Sequence, residues 1–204
     1  MDVGRPGAVV LPAGTEAVLR ALAGTDAPMG VRHVARVAGV SPNRAGQVLS
    51  RLAEHGLVLV EEHGAGRLCR LNRSHLATDA VVALVDLRGR LINFLRDEVA
   101  AWARPAGHVS LFGSAARGDG DTSSDLDILV IRANHDDEEG WEGQLYDSGE
   151  RIVAATGNRP AWFTITIQDL GRAVAAGEPI VAEWQRDGLH LAGQRLGTLL
   201  RRVA

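Results

Sequence analysis

"LFGSAARGDGDTSSDLDILVI", Leu111 to Ile131, decides how the rest of the chain is read. The apolar "HVSLF" before it has β composition and runs directly into Gly113-Ser114. A strand that meets a glycine and then a helix start presents free backbone N–H groups, which suit a phosphate. Gly113 allows close backbone approach, Ser114 adds a hydroxyl donor, and Arg117 and Gly118 continue the turn. After a polar loop ending at Ser124, "SDLDILVI" alternates with period two. That spacing puts Asp125 and Asp127 on one strand face, with Leu126 and Ile128 on the other. Neighbouring carboxylates repel each other and resist desolvation. They are reconciled by a divalent cation, Mg²⁺ or Mn²⁺, which takes carboxylate oxygens together with phosphates. Asp125 and Asp127 are thus the candidate metal ligands.

Gly113, Ser114, Arg117, Gly118, Ser124, Asp125 and Asp127, in this order and between apolar flanks, resemble the signature of the nucleotidyltransferase superfamily typified by DNA polymerase β, particularly its minimal members. The resemblance covers about residues 107–193. It implies a nucleoside triphosphate held by Gly113, Ser114, Arg117 and Ser124. It also implies catalytic Asp125 and Asp127 on the metal, and transfer of NMP to an acceptor with release of pyrophosphate. The family carries a third carboxylate on a later strand. Here that strand is expected at Ala161–Thr166, after Pro160, and it holds no acid. Ala161 or Thr164 takes the position. Asp169 lies in "QDLGRAVAAG", which reads as the next helix; Glu150 is the other candidate to stand in. "DDEEGWEG", Asp136 to Gly143, reads as a solvated loop and helix start. Ile180, Val181 and Trp184 share a helix face, followed by a turn at Asp187-Gly188 and a short strand. Trp162 and Trp184 read as core, and His108 as structural.

The first 75 residues differ in character. They hold nine arginines and six acids, against thirteen arginines and nineteen acids in the remainder, within a net charge of -3 and no lysine. The asymmetry points to an anion-facing module joined to an acidic one. Val18, Leu19 and Leu22 share a helical face, as do Val31, Val34, Ala35 and Ala38 before Gly39. In "SPNRAGQVLSRLAEHG", Ser41 is an N-cap, Pro42 suits the first helical position and Gly56 suits a left-handed stop. Ala45, Val48, Leu49, Leu52 and Ala53 form the buried stripe, leaving Asn43, Arg44, Gln47, Ser50 and Arg51 outward. "LVLVEEHGAGRLCRLN" reads as a hairpin turning near His63 to Arg67. Three helices and a hairpin over residues 14–73 resemble the winged helix-turn-helix domains of bacterial regulators. The resemblance implies double-stranded DNA as partner, met by Asn43, Arg44, Gln47 and Arg51 on the third helix and Arg67 on the wing. The same fold can instead serve dimerisation or protein contact.

Apolar residues from Val81 to Trp102 recur at helical spacing and predict a long helix from about Thr78 to Trp102. It either packs on the second domain or pairs with a second copy in a homodimer. Pro105 cannot continue it. The expected organisation is an α/β (α+β) chain: a winged helix at 1–75, a connecting helix at 76–106, and a nucleotidyltransferase-like mixed sheet flanked by helices at 107–204. One cysteine, Cys69, excludes an internal disulfide. No apolar run approaches the ~20 residues of a membrane span. The start lacks signal-peptide features, so a cytoplasmic protein is expected. Two functions remain open: a nucleotidyltransferase that binds DNA, or a DNA-binding transcriptional regulator whose transferase-like domain is a nucleotide sensor or scaffold.

Overall fold

The computed structural model describes residues 1–63, 66–133 and 137–203. Gly64 and Ala65 of the expected wing turn, and Asp136 at the head of the acidic run, lie outside the described residues. The chain forms two compact units, one of Arg5–Arg88 and one of Met1–Gly4 together with Gly89–Ala204.

In the first unit, a short 3₁₀ turn (Pro6–Val9) leads to α1 (Ala13–Ala23), strand β1 (Met29–Gly30), α2 (Val31–Ala38) and α3 (Pro42–Glu54). Then come β2 (Val58–His63), β3 (Gly66–Leu71) and α4 (Thr78–Val85). Val18, Leu19 and Leu22 of α1 pack with Val34 and Ala35 of α2 and with Ala45, Val48, Leu49 and Leu52 of α3. Gly39 ends α2 in the left-handed region, and the Ser41 side chain caps α3 by accepting from the Arg44 N–H at 3.2 Å. The antiparallel sheet runs β1-β3-β2, with Glu62 opposite Arg67 near the wing tip. Three helices and this hairpin make the winged helix-turn-helix expected from the sequence.

The stretch read as one long helix forms two, α4 and then α5 (Leu87–Ala100). Asp86 interrupts, with φ -96° and ψ 13°, although its N–H still reaches the Val82 carbonyl at 3.0 Å. Aspartate is a weak helix former because its side chain competes for nearby backbone groups. Val85 belongs to the first unit's core, whereas Leu91, Leu95 and Val99 belong to the second's.

The second unit continues with β4 (His108–Phe112), α6 (Gly113–Arg117), β5 (Leu126–Arg132) and α7 (Glu138–Thr156). Beyond these lie β6 (Pro160–Thr166), α8 (Ile167–Ala176), α9 (Pro179–Asp187), β7 (Leu189–Gly193) and α10 (Leu196–Val203). The sheet is mixed, in the order β6-β5-β4-β7, with β5 and β6 parallel and the other pairs antiparallel. Alternation along β5 splits the core. Ile128 and Val130 face Trp141 and Ile152 of α7 and Leu95 of α5. Leu129 and Ile131 face Leu170 of α8, Trp184 of α9 and Leu199 of α10. Trp102, just beyond α5, is buried and donates to Ser148 Oγ at 3.1 Å. Trp184 is core as expected, while Trp162 is partly buried at the edge of its cluster. No helix among the described residues is long and apolar enough to cross a membrane.

Candidate functional site

Asp127 lies on β5 beside Phe112 of β4 and Ala161 of β6. Its alternation with Ile128 puts its carboxylate on the Leu129 face of the sheet, at the end where β4 gives way to α6. Asp125 stands one residue before the strand begins and is exposed, while Asp127 is half-buried. Neither side chain has a hydrogen-bond or salt-bridge partner among the described residues. Burial, and then the Asp125 charge, push the Asp127 carboxyl above its ordinary range, with Arg117 opposing. A carboxylate held where its charge is unfavourable, beside a second one, is an environment that a cation improves. Gly113 completes the cradle. Its φ is +68°, and a Cβ there would lie 2.2 Å from Asp127 Oδ2. Glycine is therefore required both by the backbone and by the carboxylate. Among the described residues, no group of three or more His, Cys, Asp or Glu side chains is placed to hold a metal. Two carboxylates remain, which suits a divalent cation completed by phosphate oxygens and water rather than an all-protein cage.

The loop between α6 and β5 is fixed from inside and from the other end of the chain. Asp121 accepts from the Ser123 N–H at 2.8 Å and from the Ser123 hydroxyl at 2.7 Å. Ser124 Oγ accepts from the Asp121 N–H at 2.9 Å, and the Ser124 carbonyl accepts from Asn158 Nδ2 at 3.0 Å. These bonds make Ser124 a shaper of the loop that presents Asp125. The hydroxyls of Ser114 and Ser124 both close on Gly120, each 3.0 Å from where a Cβ would stand. Gly120 also accepts from the Gly4 N–H at 3.0 Å, while Val3 is fully buried in this unit's core. Sequence reading does not reveal this strap, because four residues carry no periodicity. Arg117 donates to Asp119 at 3.1 Å and to Asp187 at 3.0 Å, so two carboxylates already hold its guanidinium.

Register separates the two candidate positions on β6. Ala161 is the direct neighbour of Asp127, and parallel register partners share a face. Thr164 pairs with Val130 and points to the opposite face. Asp169 sits beyond the far end of β6. There it accepts from the Thr166 N–H at 2.9 Å and the Thr166 hydroxyl at 2.7 Å, and it pairs with Arg172. Those bonds hold its carboxyl at about 2. Thr166 is five strand steps from Ala161, roughly 16 Å at about 3.3 Å per residue. Glu150 is exposed on α7, the helix that covers the other face. An aromatic stands nearer: Phe163, on the Ala161 face, is 41% exposed and packs edge-on to Phe112 at 5.1 Å.

In the first unit, Asn43, Arg44, Gln47, Ser50 and Arg51 are all exposed along α3. They are not equally free. Arg51 donates to Thr15 Oγ1 on α1 at 3.2 Å, and the Arg44 side chain lies over Gly14. Asn43 and Gln47 point away without such contacts. A groove runs between α3 and the wing, lined by Ser50, Glu62 and Arg67, and also by Arg32 of α2. Sequence reasoning does not place Arg32 in this groove. Only the fold brings the start of α2 beside the hairpin.

Residues 16–62 match the IclR helix-turn-helix domain family, and residues 90–163 match the nucleotidyltransferase domain family. No curated protein matches the sequence. Among solved structures, a mutant form of the toxin–antitoxin MntA-HpeT aligns at 14% identity, over 55% of this chain and 82% of that chain, with TM-score 0.40. A toxin–antitoxin with AMP-PNP aligns at 16% identity, over 55% and 82%, with TM-score 0.39. A MarR-family transcriptional regulator from Rhodococcus sp. RHA1 aligns at 20% identity, over 47% and 77%, with TM-score 0.35. Sequence motif, fold and domain matches coincide: the chain joins a helix-turn-helix DNA-binding domain to a nucleotidyltransferase domain.

Proposed function

We propose that this is a cytoplasmic DNA-binding regulator of transcription whose nucleotidyltransferase domain binds a nucleoside triphosphate with Mg²⁺ or Mn²⁺ and transfers NMP slowly or not at all. Gly113 and Ser114 face the triphosphate, and Asp125 and Asp127 hold the metal. The metal, when bound, neutralises phosphate charge. Asn43, Arg44, Gln47 and Arg51 of α3, with Arg67 on the wing, meet duplex DNA. A second copy of the chain would supply a second half-site and multiply the affinity. The observation that carries the reading is Ala161 beside Asp127. Without an acid there, nothing in the sheet accepts the acceptor's proton or completes a second metal. Positioning carries most of the catalysis in this chemistry, so binding outlasts transfer.

Calorimetry with ATP and the other NTPs tests it. Binding should need a divalent cation and vanish in Asp125→Ala/Asp127→Ala; metal-independent binding, or equal binding by that variant, rejects the site. A second reading, an active transferase, is favoured by the complete cradle of Gly113, Asp125 and Asp127. Radiolabelled NTPs with candidate acceptors separate the two. Multiple turnover that is lost in Asp127→Ala would establish the enzyme.

A further inference from the structure

We propose that the nucleotidyltransferase unit carries a second ligand site, for a small hydroxyl-bearing phosphate ester, in the cavity between β4, α9, β7 and the start of α10. The cavity holds about 340 Å³, within the range of small-molecule sites. None of its lining residues belongs to the Gly113–Asp127 cradle. Trp184 lines it and is only 5% exposed, and its indole N–H is buried with no acceptor. A buried donor left unmet is costly, so this one calls for an acceptor from outside the chain. The wall opposite is cationic. The Arg195 side chain has no hydrogen-bond or salt-bridge partner among the described residues. Arg201 donates to Thr198 Oγ1 at 3.3 Å and has no carboxylate partner there. Among the described residues, no Asp or Glu lines the cavity. Leu196 and Gly197 open α10 with two amides that have no acceptor among the described residues, while the Thr198 N–H is already taken by the Arg195 carbonyl at 2.9 Å.

Ser110 sets the polarity of the other side. His108 Nδ1 is 2.7 Å from the Gln194 carbonyl, which can only accept, so Nδ1 carries the proton. Burial lowers the His108 pKa, which favours the neutral ring. Nε2 is then an acceptor, and it takes the Ser110 hydroxyl hydrogen at 3.0 Å. Ser110 is left with lone pairs only and asks the ligand for a donor. The complement is an oxyanion at Arg195, Arg201 and α10, with a hydroxyl group that accepts from Trp184 and donates to Ser110.

Calorimetry on the full chain in EDTA, which disables metal-dependent nucleotide binding, tests the site with ribose 5-phosphate, inorganic phosphate and ribose as probes. Ribose 5-phosphate should bind one per chain. Affinity should fall at least tenfold in Arg195→Ala/Arg201→Ala, whose side chains are exposed, and severalfold in Trp184→Phe, which keeps an aromatic ring. It should be unchanged in Asp125→Asn/Asp127→Asn. Inorganic phosphate should bind more weakly and ribose not at all. No saturable binding to the wild type at millimolar ribose 5-phosphate would overturn the proposal. So would affinity that survives the arginine changes but is lost in the aspartate variant, which would place the ligand in the nucleotide cradle.

Discussion

Asp127 is the residue on which the proposed site turns. Its carboxyl is raised by burial and by Asp125. Just above the ordinary carboxylate range the folded chain therefore binds more protons than the unfolded chain. Stability falls as pH rises through that window, and the penalty is complete once pH exceeds the folded-state pKa. Asp127→Asn is expected to raise Tm at pH 7 in EDTA and to abolish the further rise that Mg²⁺ with ATP gives the wild type; thermal unfolding in both buffers checks the two signs. Gly113 belongs to the same constraint. Gly113→Ala forces a side chain into the left-handed region, about 1–2 kcal/mol, and also displaces Asp127 Oδ2. It should lose roughly 2 kcal/mol or more by urea unfolding. Part of the loss should return in Gly113→Ala/Asp127→Ala, because the clash term is absent there. These residues were legible in the sequence because a strand, a glycine and spaced acids have few other uses together. The freedom of each was not. Arg117 and Arg51 both read as ligand contacts, yet the fold brings Asp187 to the first and Thr15 to the second.

Between elements, the parallel pairing of β5 with β6 decides which residue stands beside Asp127. Ala161→Asp places a third carboxylate beside Asp127. It should raise NMP transfer about 10²-fold or more, the lower range of general-base assistance, with little change in NTP affinity. Thr164→Asp, on the opposite face, should give no gain. Rates with radiolabelled NTP compare the two. At the far end of β6, the Thr166–Asp169 capping box starts α8. Thr166→Ala should cost about 1 kcal/mol of unfolding free energy. The Asp169 pKa is lowered to about 2, so its contribution is present above the ordinary carboxylate pKa and fades as pH falls toward that value. Denaturation at pH 7 and near pH 2 should show the difference between wild type and variant shrinking. Helices with strong punctuation, such as α3 behind Ser41-Pro42, were readable from sequence. The break at Asp86 was not, because apolar spacing continues across it and only local backbone competition ends the turn. Register was hidden too: Ala161 and Thr164 were indistinguishable until β6 had a neighbour to pair with.

At the scale of the whole molecule, the winged-helix unit is an insert between Gly4 and Gly89 of the nucleotidyltransferase unit. Val3→Ala should therefore destabilise the nucleotidyltransferase core, by roughly 2 kcal/mol for a fully buried side chain, although it lies at the opposite end of the sequence. Calorimetry in the presence and absence of ATP with Mg²⁺ identifies which core is affected, since only that unit should gain from nucleotide. DNA binding is read separately. Arg67→Ala should flatten the salt dependence by about one unit if it meets phosphate, measured by duplex titration at several salt concentrations. The strap also sets a clock. Asn158 Nδ2 donates to the Met1 carbonyl at 3.0 Å across 157 positions of sequence. At roughly 5–20 residues per second of synthesis, the first residues wait about 8–30 s for that partner. Arg5–Arg88 is complete well before then, with all of its own core already made. On the ribosome, the DNA-binding unit matures first, and the loop that presents Asp125 is fastened only when the far side of the nucleotidyltransferase sheet arrives.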